Sequence, residues 1–283
     1  MRRQATVEGR QRSYLQLDPD LPDGAAPSAL VIVLHGSSQT GRSIRAFSGL
    51  SFDLLARDFG AVVIYADGVK KLWNHDRPPA AATDDVAFMS VLARDFRNRH
   101  GALPIYIAGF SNGGQLLIRL IHEIPDCFDG AAIIGATLPR PANMHFRDVG
   151  RPMPVMLVHG THDMVVPYGG EGWFGSLFGR KRGPSALDTA QYFAARNLVS
   201  AAPTRTVLPH RRASGRTSVT LAAFEQDGRE RVWLFTVAGG GHVVPNRSRK
   251  AFFLAGRTTQ DVSVPEAMAD FWQLRAPGSL RRP

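Results

Sequence analysis

Gly109-Phe110-Ser111-Asn112-Gly113-Gly114 is the stretch of sequence that decides the fold. It follows an apolar run at residues 105–108, typical of a buried strand, and it opens a segment at residues 112–122 with helical spacing. A G-x-S-x-G pattern in a strand–turn–helix context predicts a cramped turn that holds the serine hydroxyl out of a sheet. The free N–H groups of the new helix would face the place where negative charge develops when Ser111 attacks a carbonyl.

Two further turns supply the partners that a reactive serine needs. V-H-G-T-H-D (158–163) follows the apolar run 154–158, and A-G-G-G-H (238–242) follows the run 232–237. Polar residues that follow parallel strands meet at the carboxyl edge of an open α/β sheet. Their order, Ser, Asp, His, is the chain order of α/β-hydrolases. We therefore predict a catalytic triad of Ser111 as nucleophile, His242 as base and Asp163 as the orienting acid.

An oxyanion hole is predicted from a third turn near the start of the chain. L-H-G-S-S-Q (34–39) follows the apolar run 29–34. Its H-G turn could aim the backbone N–H of Ser37 at a substrate oxygen, opposite the N–H of Asn112.

The remaining chain alternates apolar runs with amphipathic segments, which predicts an α/β fold with a mainly parallel central sheet and helices on both faces. A chain of 283 residues, 44% of them hydrophobic, is expected to form one domain spanning residues 1–283. The expected strands are 13–17, 29–34, 61–66, 105–108, 131–134, 154–158 and 232–237. The expected helices are 84–97, 112–122, 186–197 and 264–274.

Composition narrows the classes of partner and compartment. No apolar run reaches the roughly 18 to 20 residues of a spanning helix, and because residues 4–12 are polar we expect no signal peptide in this sequence. The single cysteine, Cys127, leaves no intramolecular disulfide, which favours the cytoplasm, with secretion as the alternative if a leader was removed. The net charge of +10 comes from scattered clusters without interleaved aromatic residues, so we expect neither nucleic acid nor membrane as a partner.

Several other polar and aromatic residues are candidates for lesser roles. Asp84 and Asp85 are interpreted as a helix cap and a loop anchor, and a metal site at His159, His162 and Asp163 is disfavoured because no other cluster completes it. We expect His75, His122 and His210 to lie on the surface or in loops. The glycine-rich segment 168–184 is predicted to be a flap loop over the site, with the alternative that its aromatic residues pack on the core or on a partner subunit.

Together these motifs resemble the polyhydroxybutyrate depolymerase and feruloyl or acetylxylan esterase group of α/β-hydrolases, often called LpqC-like. The resemblance also uses W-N-H-D-R (73–77), D-D-V (84–86) and V-P-Y (166–168). It implies a serine esterase that hydrolyses small or oligomeric esters through an acyl-enzyme, without metal or organic cofactor. From the sequence, the candidates for substrate contact are His35, Trp73, Trp173, Phe174 and Val243, with packing as the alternative for Trp73, Trp173 and Phe174.

The sequence departs from that group in two places that bear on substrate. Ser37 and Leu198 stand where many secreted relatives have cysteines, which fits a reducing compartment. Residues 243–246, V-V-P-N, replace a frequent Trp-Pro-Gly, so an aromatic platform is absent beside the base. We expect short-chain or 3-hydroxybutyrate esters to be preferred over feruloyl and acetylxylan substrates. Acyl transfer to an alcohol or amine, and a non-catalytic binding protein of the same fold, are the alternatives.

Overall fold

The computed structural model describes residues 1–76, 84–170, 183–247 and 255–275. Its centre is a 10-stranded sheet in the order β1-β2-β4-β3-β5-β6-β7-β10-β9-β8. The strands are β1 Arg2–Val7, β2 Arg10–Leu17, β3 Leu30–Leu34, β4 Val62–Ala66, β5 Ile105–Phe110, β6 Gly130–Ile134, β7 Val155–Gly160, β8 Thr204–Val207, β9 Ser218–Phe224 and β10 Val232–Ala238. The six strands β4, β3, β5, β6, β7 and β10 pair in parallel, and antiparallel hairpins extend the sheet on each side.

The sheet is covered on both faces because its central strands are apolar on both sides. Leu30 and Ile32 of β3 lie in one hydrophobic cluster, whereas Val31 and Val33 lie in the other, as the two-residue period of a strand requires. The helices are α1 Gly41–Phe47, α2 Asp53–Phe59, α3 Asp85–His100, α4 Asn112–Glu123, α5 Ala186–Arg196 and α6 Val264–Phe271. Side chains of α3, α4 and α5 pack in the first cluster and those of α1, α2 and α6 in the second.

The predicted architecture is confirmed: a mainly parallel sheet lies between two layers of helices. Each predicted strand and helix is present, with ends that differ by no more than a few residues. Strands β1, β8 and β9 and the short helices α1 and α2 were not predicted. Among the described residues, none of the helices has the length and apolar character needed to cross a membrane.

Candidate active site

Ser111 is the single residue between the end of β5 and the start of α4, and its backbone angles are φ 54° and ψ −118°. Such angles are strained for a residue with a side chain, and they persist only where the surroundings enforce them. The neighbouring glycines supply the space: a Cβ on Gly109 would lie 2.4 Å from the Gly113 carbonyl oxygen, and one on Gly113 would lie 2.6 Å from that of His35. The glycines are therefore required by close backbone approach at this turn.

Asp163 and His242 are joined directly. The Nδ1 atom of His242 lies 2.6 Å from Oδ2 of Asp163, whose side chain is only 1% exposed. The other carboxylate oxygen of Asp163 accepts the backbone N–H groups of Val165, at 2.9 Å, and Val166, at 2.8 Å. With the carboxylate ionised, Nδ1 of His242 carries the proton and Nε2 presents its lone pair, which is the form that a general base needs.

The ring of His242 rests on two residues at the carboxyl ends of β5 and β6. Its centroid lies 4.7 Å from that of Phe110, the residue before Ser111. A Cβ on Gly135, which follows β6 with φ +59°, would come within 3.2 Å of the Cε1 and Nδ1 atoms of His242. Sequence reasoning missed Gly135, although a glycine directly after an apolar strand was a signal that could have found it. In the described part of the chain, Ser111 Oγ and His242 form no hydrogen bond, and such bonds are often long until substrate is bound.

The predicted oxyanion donors lie on either side of one cleft. The N–H of Ser37 makes no hydrogen bond to any described residue, and the N–H of Asn112 lies in the first turn of α4, where no intrahelical acceptor exists. Gln39 Oε1 accepts the N–H of Gly36 at 2.9 Å, which fixes the turn that presents Ser37. Both donors line a cleft of about 500 Å³.

His35 does not meet the expectation that it contacts substrate, because its side chain is fully buried. Its Nδ1 atom lies 2.7 Å from the Gly36 carbonyl oxygen, and its Nε2 atom accepts the N–H of Gly68 at 2.9 Å. Burial lowers the pKa of His35, so the neutral ring with its proton on Nδ1 satisfies both bonds. His35 thus orders the backbone around the oxyanion turn.

Trp73 is also buried, with 3% of its surface exposed, but its edge lines the cleft beside Ser37. Its indole N–H donates to the His35 carbonyl at 2.9 Å, and its backbone N–H donates to Asn112 Oδ1 at 2.8 Å. The remaining lining combines the apolar residues Val69 and Leu72 with residues that carry charged, imidazole or amide groups: Lys70, Asn74, His75, Asp76, Asp85 and Gln115.

Val243 is a weaker candidate for substrate contact than the sequence suggested. Its side chain is 8% exposed and faces a gap of about 10 Å³, which is hardly room for one water molecule. The predicted aliphatic wall beside the base is therefore small. Trp173, Phe174 and most of the predicted flap at 168–184 lie outside the described residues.

His159 belongs to the hydrogen-bonding surroundings of Asp163. It is buried, its Nε2 donates to the Val166 carbonyl at 2.8 Å, and the same atom lies 3.6 Å from Asp163 Oδ2. Burial lowers the pKa of His159, which keeps the ring neutral beside the triad acid. Where the chain is described, no group of three such side chains is arranged to hold a metal ion, and His159 Nε2 is already bonded to the Val166 carbonyl in the turn that carries Asp163.

The roles interpreted for Asp84 and Asp85 are confirmed. Asp84 caps α3 by accepting the N–H of Ala87, and Asp85 accepts the N–H of Asn74 at 2.7 Å, which anchors the loop. The surface position expected for His122 is wrong. That ring is buried between α4 and α5, where its Nε2 atom lies 2.7 Å from the Tyr192 hydroxyl.

Known proteins that resemble this chain include esterases, which agrees with the serine–histidine–aspartate geometry. A sequence model of a family described as phospholipase/carboxylesterase matches residues 86–173, which include Ser111 and Asp163. NocK of Nocardia uniformis subsp. tsuyamanensis, for which an esterase activity is proposed, is 28% identical over 95% of this chain and 81% of its own length. Feruloyl esterase B of Piromyces equi is 31% identical over 52% of this chain, which spans only 28% of that protein.

Among solved structures, Est1E from Butyrivibrio proteoclasticus resembles the chain with a TM-score of 0.50 at 13% identity, over 85% of this chain and 90% of its own. A likeness at that identity concerns the fold alone. With the parallel sheet and the strained serine turn between β5 and α4, it shows that the chain has the α/β-hydrolase fold.

Proposed function

We propose that the protein is a serine esterase in which Ser111, His242 and Asp163 form the catalytic triad. The observation that carries this proposal is the buried 2.6 Å contact between His242 and Asp163 at the same sheet edge as the strained turn of Ser111. His242 Nε2 takes the proton of Ser111 as the hydroxyl attacks the ester carbonyl, and Asp163 stabilises the imidazolium that forms.

The tetrahedral intermediate places a negative charge on the former carbonyl oxygen. The N–H groups of Ser37 and Asn112 would bind that oxygen, and each donor in such a site is typically worth about 3 to 4 kcal/mol of barrier. His242 then protonates the leaving alcohol, and a water molecule attacks the acyl-enzyme by the same route to release the acid. Acyl transfer would differ only in the final acceptor.

The cleft beside Ser37 and Asn112, which Ser111 and His242 do not line, would take the part of an ester that extends past the oxyanion donors, and it favours small esters with hydrogen-bonding groups. Its lining includes Lys70, His75, Asp76 and Gln115, which can bind the oxygen-containing groups of a substrate, beside the exposed apolar side chains of Val69 and Leu72, which offer room for only a short apolar group. Esters of 3-hydroxybutyrate and its oligomers fit this description. A feruloyl or acetylated-sugar ester is the second candidate, supported by the likeness to feruloyl esterase B.

The test is an activity panel of p-nitrophenyl esters of increasing chain length, 3-hydroxybutyrate oligomers, methyl ferulate and acetylated xylan, with and without an alcohol acceptor. Ser111→Ala should lower kcat by about 10⁴-fold while the protein stays folded. The control is Ser90→Ala, a serine on α3 whose partners among the described residues are Val86 of its own helix and Cys127. A Ser111→Ala protein that keeps a tenth of the activity would refute the triad.

A further inference from the structure

The loop after β4, residues 68–76, forms hydrogen bonds with residues on both sides of Ser37. Gly68 donates to the ring of His35, and the Lys71 carbonyl accepts the N–H of Ser38 at 3.0 Å. His35 and Ser38 lie on either side of Ser37, whose N–H is one of the two proposed donors. A shift of this 68–76 loop would therefore be transmitted to Ser37.

The same loop also holds the second donor. The Asn112 side chain accepts the Trp73 backbone N–H at 2.8 Å and donates to the Trp73 carbonyl at 3.4 Å. The Trp73 indole reaches back to the His35 carbonyl at 2.9 Å. One loop thus bonds both to the turn of Ser37, which follows β3, and to the start of α4, which follows β5.

The far side of the loop is fixed by a buried ion pair. Asp85 Oδ2 accepts the N–H of Asn74 at 2.7 Å, and Asp85 Oδ1 lies 2.6 Å from Arg12 Nη2. The two side chains are 2% and 4% exposed. Arg12 comes from β2, where its guanidinium also donates to the Asp67 carbonyl and lies 4.3 Å above the ring of Phe88.

A buried ion pair is weak evidence for a stabilising role, since the cost of removing both charges from water offsets their attraction. What such a pair does provide is a single geometry for the groups it binds. Here the bound group is the Asn74 N–H, one residue from Trp73. The contact network therefore runs from β2 through α3 and the loop to both donors.

We propose that Arg12 and Asp85 are positioning residues for the oxyanion hole, acting through the 68–76 loop on Ser37 and Asn112. The inference rests on the proposed function. It predicts that loss of the pair weakens binding of the tetrahedral transition state while leaving ground-state binding of the ester almost unchanged.

The decisive variant replaces the pair by apolar residues, Arg12→Met with Asp85→Leu, because such replacements are often tolerated by the fold. The control is Arg196→Met with Asp148→Leu, an ion pair at 2.9 Å in which the side chain of Arg196 is buried and that of Asp148 is 37% exposed, and which bonds no described part of the 68–76 loop. The measurements are kcat and KM for p-nitrophenyl acetate, the Ki of phenylboronic acid, which forms a tetrahedral adduct with an active serine, and the urea midpoint of unfolding.

We expect kcat of the Arg12/Asp85 variant to fall by about tenfold or more, a fraction of the 10²- to 10³-fold loss typical for removal of a whole donor. KM should change by less than about threefold, and the Ki of phenylboronic acid should rise in step with the loss of kcat. The control pair should leave all three constants within about twofold. If the double variant does not fold, Arg12→Lys should give a smaller loss of kcat with KM unchanged.

Unaltered kcat in a folded Arg12/Asp85 variant, or in Arg12→Lys, would overturn the inference, and so would an equal loss in the control pair. Failure of the proposed function would look different, because the unaltered protein itself would then turn over no ester and would resemble Ser111→Ala.

Discussion

The strained backbone of Ser111 is held in place by backbone contacts of the turn with neighbouring strands. Its backbone N–H donates to the Ile134 carbonyl at 2.9 Å, which ties the turn to the end of β6. The backbone of Gly113 in turn approaches the His35 carbonyl too closely for any side chain. A strained residue costs about 1 to 3 kcal/mol, and it persists here because neighbouring strands define its place.

At the residue scale, Gly135→Ala should displace the ring of His242, the proposed base, without removing any reacting group. The new methyl would lie 3.2 Å from the His242 ring, so the ring must shift or tilt relative to Asp163 and Ser111. Because small misplacements of catalytic groups can cost about 10²-fold, we expect kcat to fall by roughly 10- to 100-fold. Steady-state kinetics on a p-nitrophenyl ester would measure this loss.

The control for Gly135→Ala is Gly215→Ala. Gly215 has a similar φ of +63°, but a Cβ there would meet nothing within 4 Å. Both changes place a side chain at a positive φ, which is strained, whereas only the first also touches His242. Equal kinetic losses in the two variants would mean that strain, rather than the position of the base, is responsible.

At the element scale, buried strands and longer helices were predicted from the sequence, whereas an exposed strand and two short helices were missed. Buried parallel strands such as β3 and β7 are apolar runs between turns and were predicted almost to the residue. Strand β8 was missed because its four residues are all exposed at the sheet edge, and α1 and α2 because seven residues are too few to show helical periodicity.

The same reasoning explains which parts of the candidate site were found. Ser111, Asp163 and His242 stand in short motifs that follow strands, so local sequence is sufficient to indicate them. The contact of Arg12 with Asp85 joins residues 73 positions apart and depends on the pairing of β2 with β4, which no local pattern encodes. The side-chain role of Asn112 in holding Trp73 was missed for the same reason.

The start of α1 offers a test of how one element supports the site. Thr40 and Ser43 form a capping box directly after Gln39, and Ser185 and Asp188 form the equivalent box on α5. Thr40→Ala and Ser185→Ala should each lower the free energy of unfolding by about 1 kcal/mol.

Only Thr40→Ala should also lower kcat, by about two- to fivefold, because a loosened α1 frees the Gln39 side chain that fixes Gly36 and the turn of Ser37. Urea unfolding and initial rates on the same preparations would separate the two effects. A loss of kcat in Ser185→Ala as large as that in Thr40→Ala would contradict this role of α1.

At the scale of the whole molecule, three histidines are buried in the folded state: His35, His122 and His159. Burial lowers the pKa of each from the ordinary value of 6.5, and each already uses its ring nitrogens in bonds that suit the neutral form. Below pH 6.5 the unfolded chain binds protons at these positions that the folded protein does not. Stability must therefore fall as the pH falls from 6.5 towards the lowered values.

A falling stability below pH 6.5 can be measured directly. The free energy of unfolding, measured by urea titration between pH 7.5 and 5.5, should decrease below about pH 6.5, with each neutral buried histidine contributing up to about 1.4 kcal/mol per pH unit. Burial raises the pKa of Asp85, which makes its contribution to stability change with pH in the direction opposite to that of the histidines. The decisive quantity is therefore the difference in pH dependence between a variant and the unaltered protein. His122→Gln removes one buried histidine far from Ser111 and should make the pH dependence shallower by about that amount, whereas His145→Gln, at an exposed position, should not. An identical pH dependence in His122→Gln and the unaltered protein would show that His122 takes up its proton without unfolding.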